Sequence, residues 1–285
     1  MKTTKVTKET ILKIYHPVQN DTHKGIQGHA LIIGGSYGKM GAPLLSSKAA
    51  LHSGCGLVTV FVPKIGYTIL QTAFPEAMVL TDKDEKHITD IKFSIVPKAI
   101  GIGMGMGQEP KTRRAFYKFL TANTIPLVID ADGLNILAYN PKYMLKLKPK
   151  TILTPHLGEL ERLIGKWNSE AEKFEKTAAL SKSLDAVVVM KGAPTYIFSD
   201  GKCFENSTGN PALATAGSGD TLTGIITSFL AQGYSAEEAA IFGVYIHGLT
   251  ADLALPETGT QSFVASTIIE YLGKAFLEVE RYVLR

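Results

Sequence analysis

The segment Ala214-Thr215-Ala216-Gly217-Ser218-Gly219-Asp220-Thr221-Leu222-Thr223-Gly224 sets three small residues and a carboxylate ahead of a helix-period run. Small residues at a helix N-terminus leave backbone N–H groups open, and such groups bind phosphate and stabilise developing negative charge. Gly217, Ser218 and Gly219 would form an anion hole of this kind. Asp220 is placed to take a proton from a hydroxyl beside the same phosphate. A tight turn with Asp220 capping the helix accounts for the same residues. The segment lacks the GK[ST] ending of a Walker A loop.

Five further clusters have chemical potential. In Asp130-Ala131-Asp132-Gly133-Leu134-Asn135, paired carboxylates suit Mg²⁺ held largely through water, or an Asp-Gly turn with helix capping. In Thr154-Pro155-His156-Leu157-Gly158-Glu159, Pro155 fixes a rigid turn. The His156 ring can donate to a ligand amide, ribose or phosphate, or serve structure alone. Glu159 could cap the next helix or reach toward a metal. In Lys191-Gly192-Ala193-Pro194-Thr195, Lys191 could meet a phosphate and Thr195 a nucleotide, or Lys191 could be a solvated strand end. Gly103-Met104-Gly105-Met106-Gly107 has GxGxG spacing and no tied acidic residue, so it is not an NAD fingerprint. Its glycines would let a large ligand approach the backbone. The glycine-rich stretch 34–42 could cover a substrate phosphate or be a mobile surface loop.

The elements that must position these clusters alternate. Apolar strand-like runs occur at 30–33, 57–62, 99–102, 127–129, 151–153 and 186–190. Helix-period segments follow at 42–53, rich in small residues, and at 110–122 with Pro in the first turn. Runs at 195–198 and 203–206 flank Ser199-Asp200-Gly201-Lys202, which predicts a hairpin at one sheet edge. Three helices are expected at 217–232, 236–253 and 262–281, the last two separated by Pro256 and Gly259. This alternation predicts a mostly parallel central sheet with helices on both faces. The strands end in polar or glycine-rich clusters, and ligands of open α/β sheets bind beyond the carboxyl ends of strands. The clusters should therefore converge on one cleft. No linker composition divides the chain, so residues 1–285 are expected to form a single domain.

Composition narrows the class. Of 285 residues, 45% are hydrophobic and 20% charged, enough to bury a full core. Thirty Lys+Arg against 26 Asp+Glu leave +4, too small an excess to be the footprint of nucleic-acid binding. Cys55 and Cys203 make no disulfide framework and no CxxC. The lysine-bearing N-terminus is followed by no apolar h-region, and no apolar run reaches the ~18 residues that span a bilayer. A soluble cytoplasmic protein is expected, with no nucleic-acid or membrane partner.

Together, GGSYGKMGAPLLSSKAAL, GIGMGMG, VIDADGLN, LTPHLGELERL, VVMKGAPTYI and NPALATAGSGDTLTGII resemble the ADP/ATP-dependent NAD(P)H-hydrate dehydratases, a branch of the ribokinase-like superfamily. The match spans residues 25–275. It implies a three-layer α/β/α sandwich with a mostly parallel sheet and an antiparallel edge hairpin. It further implies an enzyme that dehydrates the S form of hydrated NADH or NADPH, with ADP or ATP as co-substrate. The ring hydroxyl would be phosphorylated and phosphate then eliminated. By the resemblance, Ala42, Gly105, His156 and Asp220 contact the hydrated dinucleotide. Lys191, Gly192, Ala193, Pro194, Thr195 and Gly219 contact the adenine nucleotide. Asp130, Asp132, Asn135 and Glu159 line the cleft, and Mg²⁺ is shared through phosphates and water. Where the family usually has Pro this chain has Met104, which predicts a softer loop. An N-terminal epimerase domain is not expected, so a separate epimerase would act upstream, and similar enzymes form tetramers. A hydroxymethylpyrimidine, hydroxyethylthiazole or sugar kinase would share the GSGD loop, as would a nucleotide-binding regulator without chemistry.

Overall fold

Continuous apolar runs fold as strands covered on both faces. The computed structural model describes residues 2–19 and 21–283. The strands are β1 (Thr3–Lys5), β2 (His29–Ile33), β3 (Leu57–Val62), β4 (Met78–Thr81), β5 (Ala99–Ile102), β6 (Leu127–Ile129), β7 (Ile152–Leu153), β8 (Val187–Met190), β9 (Tyr196–Ser199) and β10 (Lys202–Glu205). They form one ten-stranded sheet in the order β1-β10-β9-β8-β7-β6-β5-β2-β3-β4. The six neighbouring pairs from β8 to β4 are parallel. The hairpin β9–β10 is antiparallel, as expected. It is not the outermost edge, because β1 adds to β10 in parallel. The Lys-rich start of the chain hid that strand, whose residues are all exposed.

The helices are α1 (Lys8–Ile14), α2 (Gly41–His52), α3 (Gly66–Ala73), α4 (Pro110–Ala122), α5 (Asp132–Tyr139), α6 (Leu157–Ile164), α7 (Glu170–Leu184), α8 (Ser218–Ala231), α9 (Ala236–Thr258) and α10 (Ala265–Val283). Successive strand side chains point to opposite faces, which builds two cores. Ala30 and Ile32 join the core that includes Ala49, Ile225, Phe242 and Leu272 from α2, α8, α9 and α10. Leu31 and Ile33 join the other, with Phe116, Leu137 and Leu160 from α4, α5 and α6. The result is the expected three-layer α/β/α sandwich.

Helix α9 runs through Pro256 to Thr258, past the boundary expected there. Proline in the last turn removes only a bond that a fraying end holds weakly. By length and composition α9 could cross a membrane, yet 78% of its apolar window is buried inside the protein. It packs against α8, α10, β8 and β9, which is the environment of a core helix.

The small residues of α2 serve close approach. Gly224 of α8 lies so near the Ser46 carbonyl oxygen of α2 that a Cβ there would collide with it. This crossing fixes where α8, and so its N-terminus, sits over the sheet. Gly224→Ala should therefore cost about 1–3 kcal/mol through overpacking, read as a lower midpoint in urea unfolding. An unchanged midpoint would show that the α2–α8 crossing yields freely.

Candidate active site

Strands β8, β7, β6, β5 and β2 are adjacent, and their carboxyl ends carry Lys191, Thr154, Asp130, Gly103 and Gly34 in that order. The predicted convergence is therefore real. At its centre is Asp130, 1% exposed. Its Oδ1 accepts from Thr154 Oγ1 at 2.8 Å and from Lys191 Nζ at 2.8 Å. Its Oδ2 accepts from Thr223 Oγ1 of α8 at 2.9 Å. Three donors, one of them charged, offset the cost of burying this carboxylate. Asp130 is thus not a helix cap. It is a buried hub that ties three strand ends to the α8 N-terminus.

Lys191 is not a solvated strand end. Besides Asp130, its ammonium is 3.8 Å from Glu159 Oε2, and a Cβ on Gly219 would lie 3.1 Å from it. Burial pushes its pKa down, but Asp130, Glu159 and Asp220 outweigh that and the net shift is upward. Glu159 moves up as well, mainly by burial, against the opposing pull of Lys191. The rest of its segment departs from Lys191: Gly192, Ala193 and Pro194 form an exposed turn, closed by Thr195 Oγ1 donating to the Gly192 carbonyl at 3.0 Å.

Helix α8 begins after Gly217, whose φ of 87° places it in the left-handed region and which provides no side-chain cap. Asp220 therefore does not cap the helix. It is the third residue of the first turn, where the N–H groups of Gly219 and Asp220 have no intrahelical acceptor; of the anion hole expected at Gly217, Ser218 and Gly219, the Ser218 N–H already donates to the Thr215 carbonyl at 3.3 Å. Its carboxyl is pushed up to about 7, first by burial and then by repulsion from Asp130, with Lys191 opposing. A carboxylate half-ionised near neutral pH beside open amides has the properties that a general base next to an anion site requires.

His156 is the N-cap of α6. Its Nδ1 accepts from the N–H of Gly158 at 3.0 Å and of Glu159 at 3.4 Å. Glu159 Oε2 accepts the His156 N–H at 2.9 Å, completing a capping box. Because Nδ1 accepts, the proton sits on Nε2, 3.3 Å from Glu159 Oε1. The structural reading of this histidine holds, and its half-exposed ring still borders the cleft.

The glycine-rich loops form the opposite wall. Gly105 has φ 62°, and a Cβ on it would lie 2.9 Å from the Lys39 carbonyl oxygen and 3.1 Å from Ala42 Cβ. The two predicted contact residues Ala42 and Gly105 are thus neighbours. The 34–42 loop is tied down: Gly35 N–H donates to the Met104 carbonyl and Ser36 Oγ to the Gly105 carbonyl, both at 2.8 Å. Met104 is fully buried in the core, so its side chain anchors the loop instead of softening it. Asp132 accepts from the Gly107 N–H at 3.0 Å and from Gln108 Nε2 at 3.0 Å. Asn135 accepts from Arg162 Nη1 at 2.9 Å and donates from Nδ2 to Asp132 Oδ1 at 3.5 Å. Thr154 and Thr223 had not been singled out. A signal existed for Thr223, which lies three residues after Asp220 and shares its helix face.

These charges make a titration the direct check. With ¹³C-labelled aspartate, one carboxyl should titrate near 7, vanish in Asp220→Asn and move lower in Asp130→Asn, where the repelling neighbour is neutral. Since the folded value lies above the unfolded ~3.9, the group's contribution to stability is present below ~4 and is lost as pH rises through about 7. Asp220→Asn should accordingly gain stability relative to wild type over that window.

The geometry has counterparts. A family model described as NAD(P)H-hydrate dehydratase matches residues 30–274. The chain is 38% identical over 271 residues to a bifunctional NAD(P)H-hydrate repair enzyme of Thermofilum pendens, covering 91% of this chain and 52% of that one. It thus spans about half the length of such bifunctional relatives. It is 37% identical to an ADP-dependent (S)-NAD(P)H-hydrate dehydratase of Staphylococcus aureus, over 87% of this chain and 89% of that one. The crystal structure of an ADP/ATP-dependent NAD(P)H-hydrate dehydratase from Bacillus subtilis, obtained with ATP and Mg²⁺, superposes with a TM-score of 0.84 at 32% identity, covering 98% of this chain and 99% of that one. With its ribokinase-like sandwich and its Asp220 loop at the carboxyl edge of the sheet, the chain belongs to the NAD(P)H-hydrate dehydratase family.

Proposed function

We propose that this protein dehydrates the S form of ring-hydrated NADH and NADPH, restoring the reduced cofactor at the expense of ADP or ATP. The observation that carries this reading is Asp220: a carboxyl held near 7, in the first turn of α8, beside open amides and Lys191. Hydroxide is a poor leaving group at neutral pH, and phosphate is a good one. Asp220 would take the proton from the ring hydroxyl as its oxygen attacks the terminal phosphoryl group. The P–O bond to the nucleotide breaks and AMP or ADP leaves. The C–O bond then breaks, phosphate departs with its electrons, and a neighbouring ring carbon loses a proton. The amides of Gly219 and Asp220 would bear the charge on the transferred group.

Ala42, Gly105, His156 and Asp220 would contact the hydrated dinucleotide. The exposed turn Gly192–Thr195 suits the adenine nucleotide. Among the described residues no group of three or more His, Cys, Asp or Glu is arranged around a metal. Mg²⁺ would be held through nucleotide phosphates and water, where it would supply charge neutralisation. An epimerase interconverting the R and S hydrates would supply the substrate.

Incubation with hydrated NADH, Mg²⁺ and ADP or ATP should bring back the near-ultraviolet absorbance of reduced nicotinamide. Asp220→Asn should cut kcat by about 10²–10⁴ with nucleotide affinity little changed. In the wild type kcat/KM should fall as pH drops below about 7, because the base is then protonated. No recovery with either nucleotide would refute the reading, and a stable phosphorylated product would mark a kinase instead.

A further inference from the structure

Helix α9 buries a histidine that the proposed chemistry does not use. His247 is 7% exposed, in an apolar helix whose neighbours Tyr245, Ile246 and Leu249 are buried hydrophobics. Its Nε2 is 3.1 Å from the Ser218 carbonyl oxygen and 3.3 Å from Ser218 Oγ. A carbonyl oxygen has no proton to give, so Nε2 carries the proton and donates. Thr221 Oγ1 donates to the same carbonyl at 2.7 Å. Ser218 is also the first residue of α8, so the carbonyl faces the N–H one turn on.

We propose that His247 is a positioning residue that, together with Thr221, polarises the Ser218–Gly219 peptide and strengthens the Gly219 N–H as a donor to the transferred phosphoryl group. The identity of that group rests on the proposed function. The peptide is planar and trans, so the Gly219 N–H points opposite to the Ser218 carbonyl. The carbonyl is turned to α9 and the N–H away from the helix, out of its N-terminus. Gly219 adjoins the Asp130–Lys191 pair: a Cβ there would lie 3.1 Å from Lys191 Nζ and 3.6 Å from Asp130 Oδ2. Donors gathered on one end of an amide strengthen the donor at its other end. Burial holds the ring's pKa at about 4, so at neutral pH the histidine donates as a neutral ring.

The test compares His247→Leu, which removes the donor, with His247→Gln, whose amide can replace it. A third variant, Thr221→Val, removes the second donor and keeps its shape. Each folded variant is assayed for kcat and KM with hydrated NADH. Each is also titrated with AMP and with ADP plus aluminium fluoride, a mimic of the transferred group. His247→Leu should lower kcat about tenfold, short of the ~10²–10³ lost when an oxyanion donor itself is removed. Affinity for ADP–aluminium fluoride should fall by a similar factor, with AMP affinity and KM unchanged. His247→Gln should recover most of both losses, and Thr221→Val should repeat the pattern more weakly. Equal losses in the Leu and Gln variants, or equal weakening of AMP and of the mimic, would overturn the proposal. So would unchanged kcat in folded His247→Leu and Thr221→Val. A wild type that fails to restore hydrated NADH would refute the proposed function, and the aluminium fluoride arm would still decide the role of His247.

Discussion

The buried pair Asp130–Lys191 is the constraint on which the site depends. It joins the ends of β6 and β8 at 2.8 Å, while Thr154 and Thr223 bring in β7 and α8. Removing one partner of such a pair leaves a buried charge uncompensated, at about 3–5 kcal/mol. The pair persists because every strong bond of Asp130 is made. Its geometric effect is to hold the first turns of α8 over the sheet edge. Electrostatically its two members oppose each other at Asp220: beyond the effect of burial, Asp130 raises it, because a negative neighbour disfavours a second carboxylate nearby, and Lys191 lowers it.

Two opposing needs meet at Asp220. A base for phosphoryl transfer must be ionised at working pH, yet basic enough to accept a proton. Burial and Asp130 raise it, and Lys191 limits the rise. The same Lys191 brings positive charge beside Gly219, where a phosphoryl group would sit. In the proposed reaction one cation would thus serve both the proton acceptor and the anion. The facing wall is held differently: Ser36 and the backbone of Met104 join the two glycine-rich loops, and Asp132 ties the second of them to α5. Those bonds hold the backbone that the wall presents to a ligand.

Most of the scaffold was legible because its signals are local. Short runs rich in apolar and β-branched residues such as 57–62, and runs of strand length such as 99–102, suit strands buried on both faces, and their polar or glycine-rich ends mark one edge. Strand β1 and helix α1 were not legible, since their partners, β10 and α10, lie about 200 residues or more away. In the site, residue identity located Asp220, Asp130 and Lys191 without revealing that the last two neutralise each other. That fact depends on strand order. The split within 191–195, the capping role of His156 and the contact of His247 with Ser218 likewise depend on side-chain direction, which spacing alone does not carry.

The central claim is that the ring hydroxyl leaves as phosphate, with Asp220 as the base that makes its oxygen a nucleophile. Hydrated NADH carrying ¹⁸O in that hydroxyl tests it directly. After turnover with ADP or ATP, the account predicts the label in inorganic phosphate. Label recovered in water would show direct loss of hydroxide and contradict it.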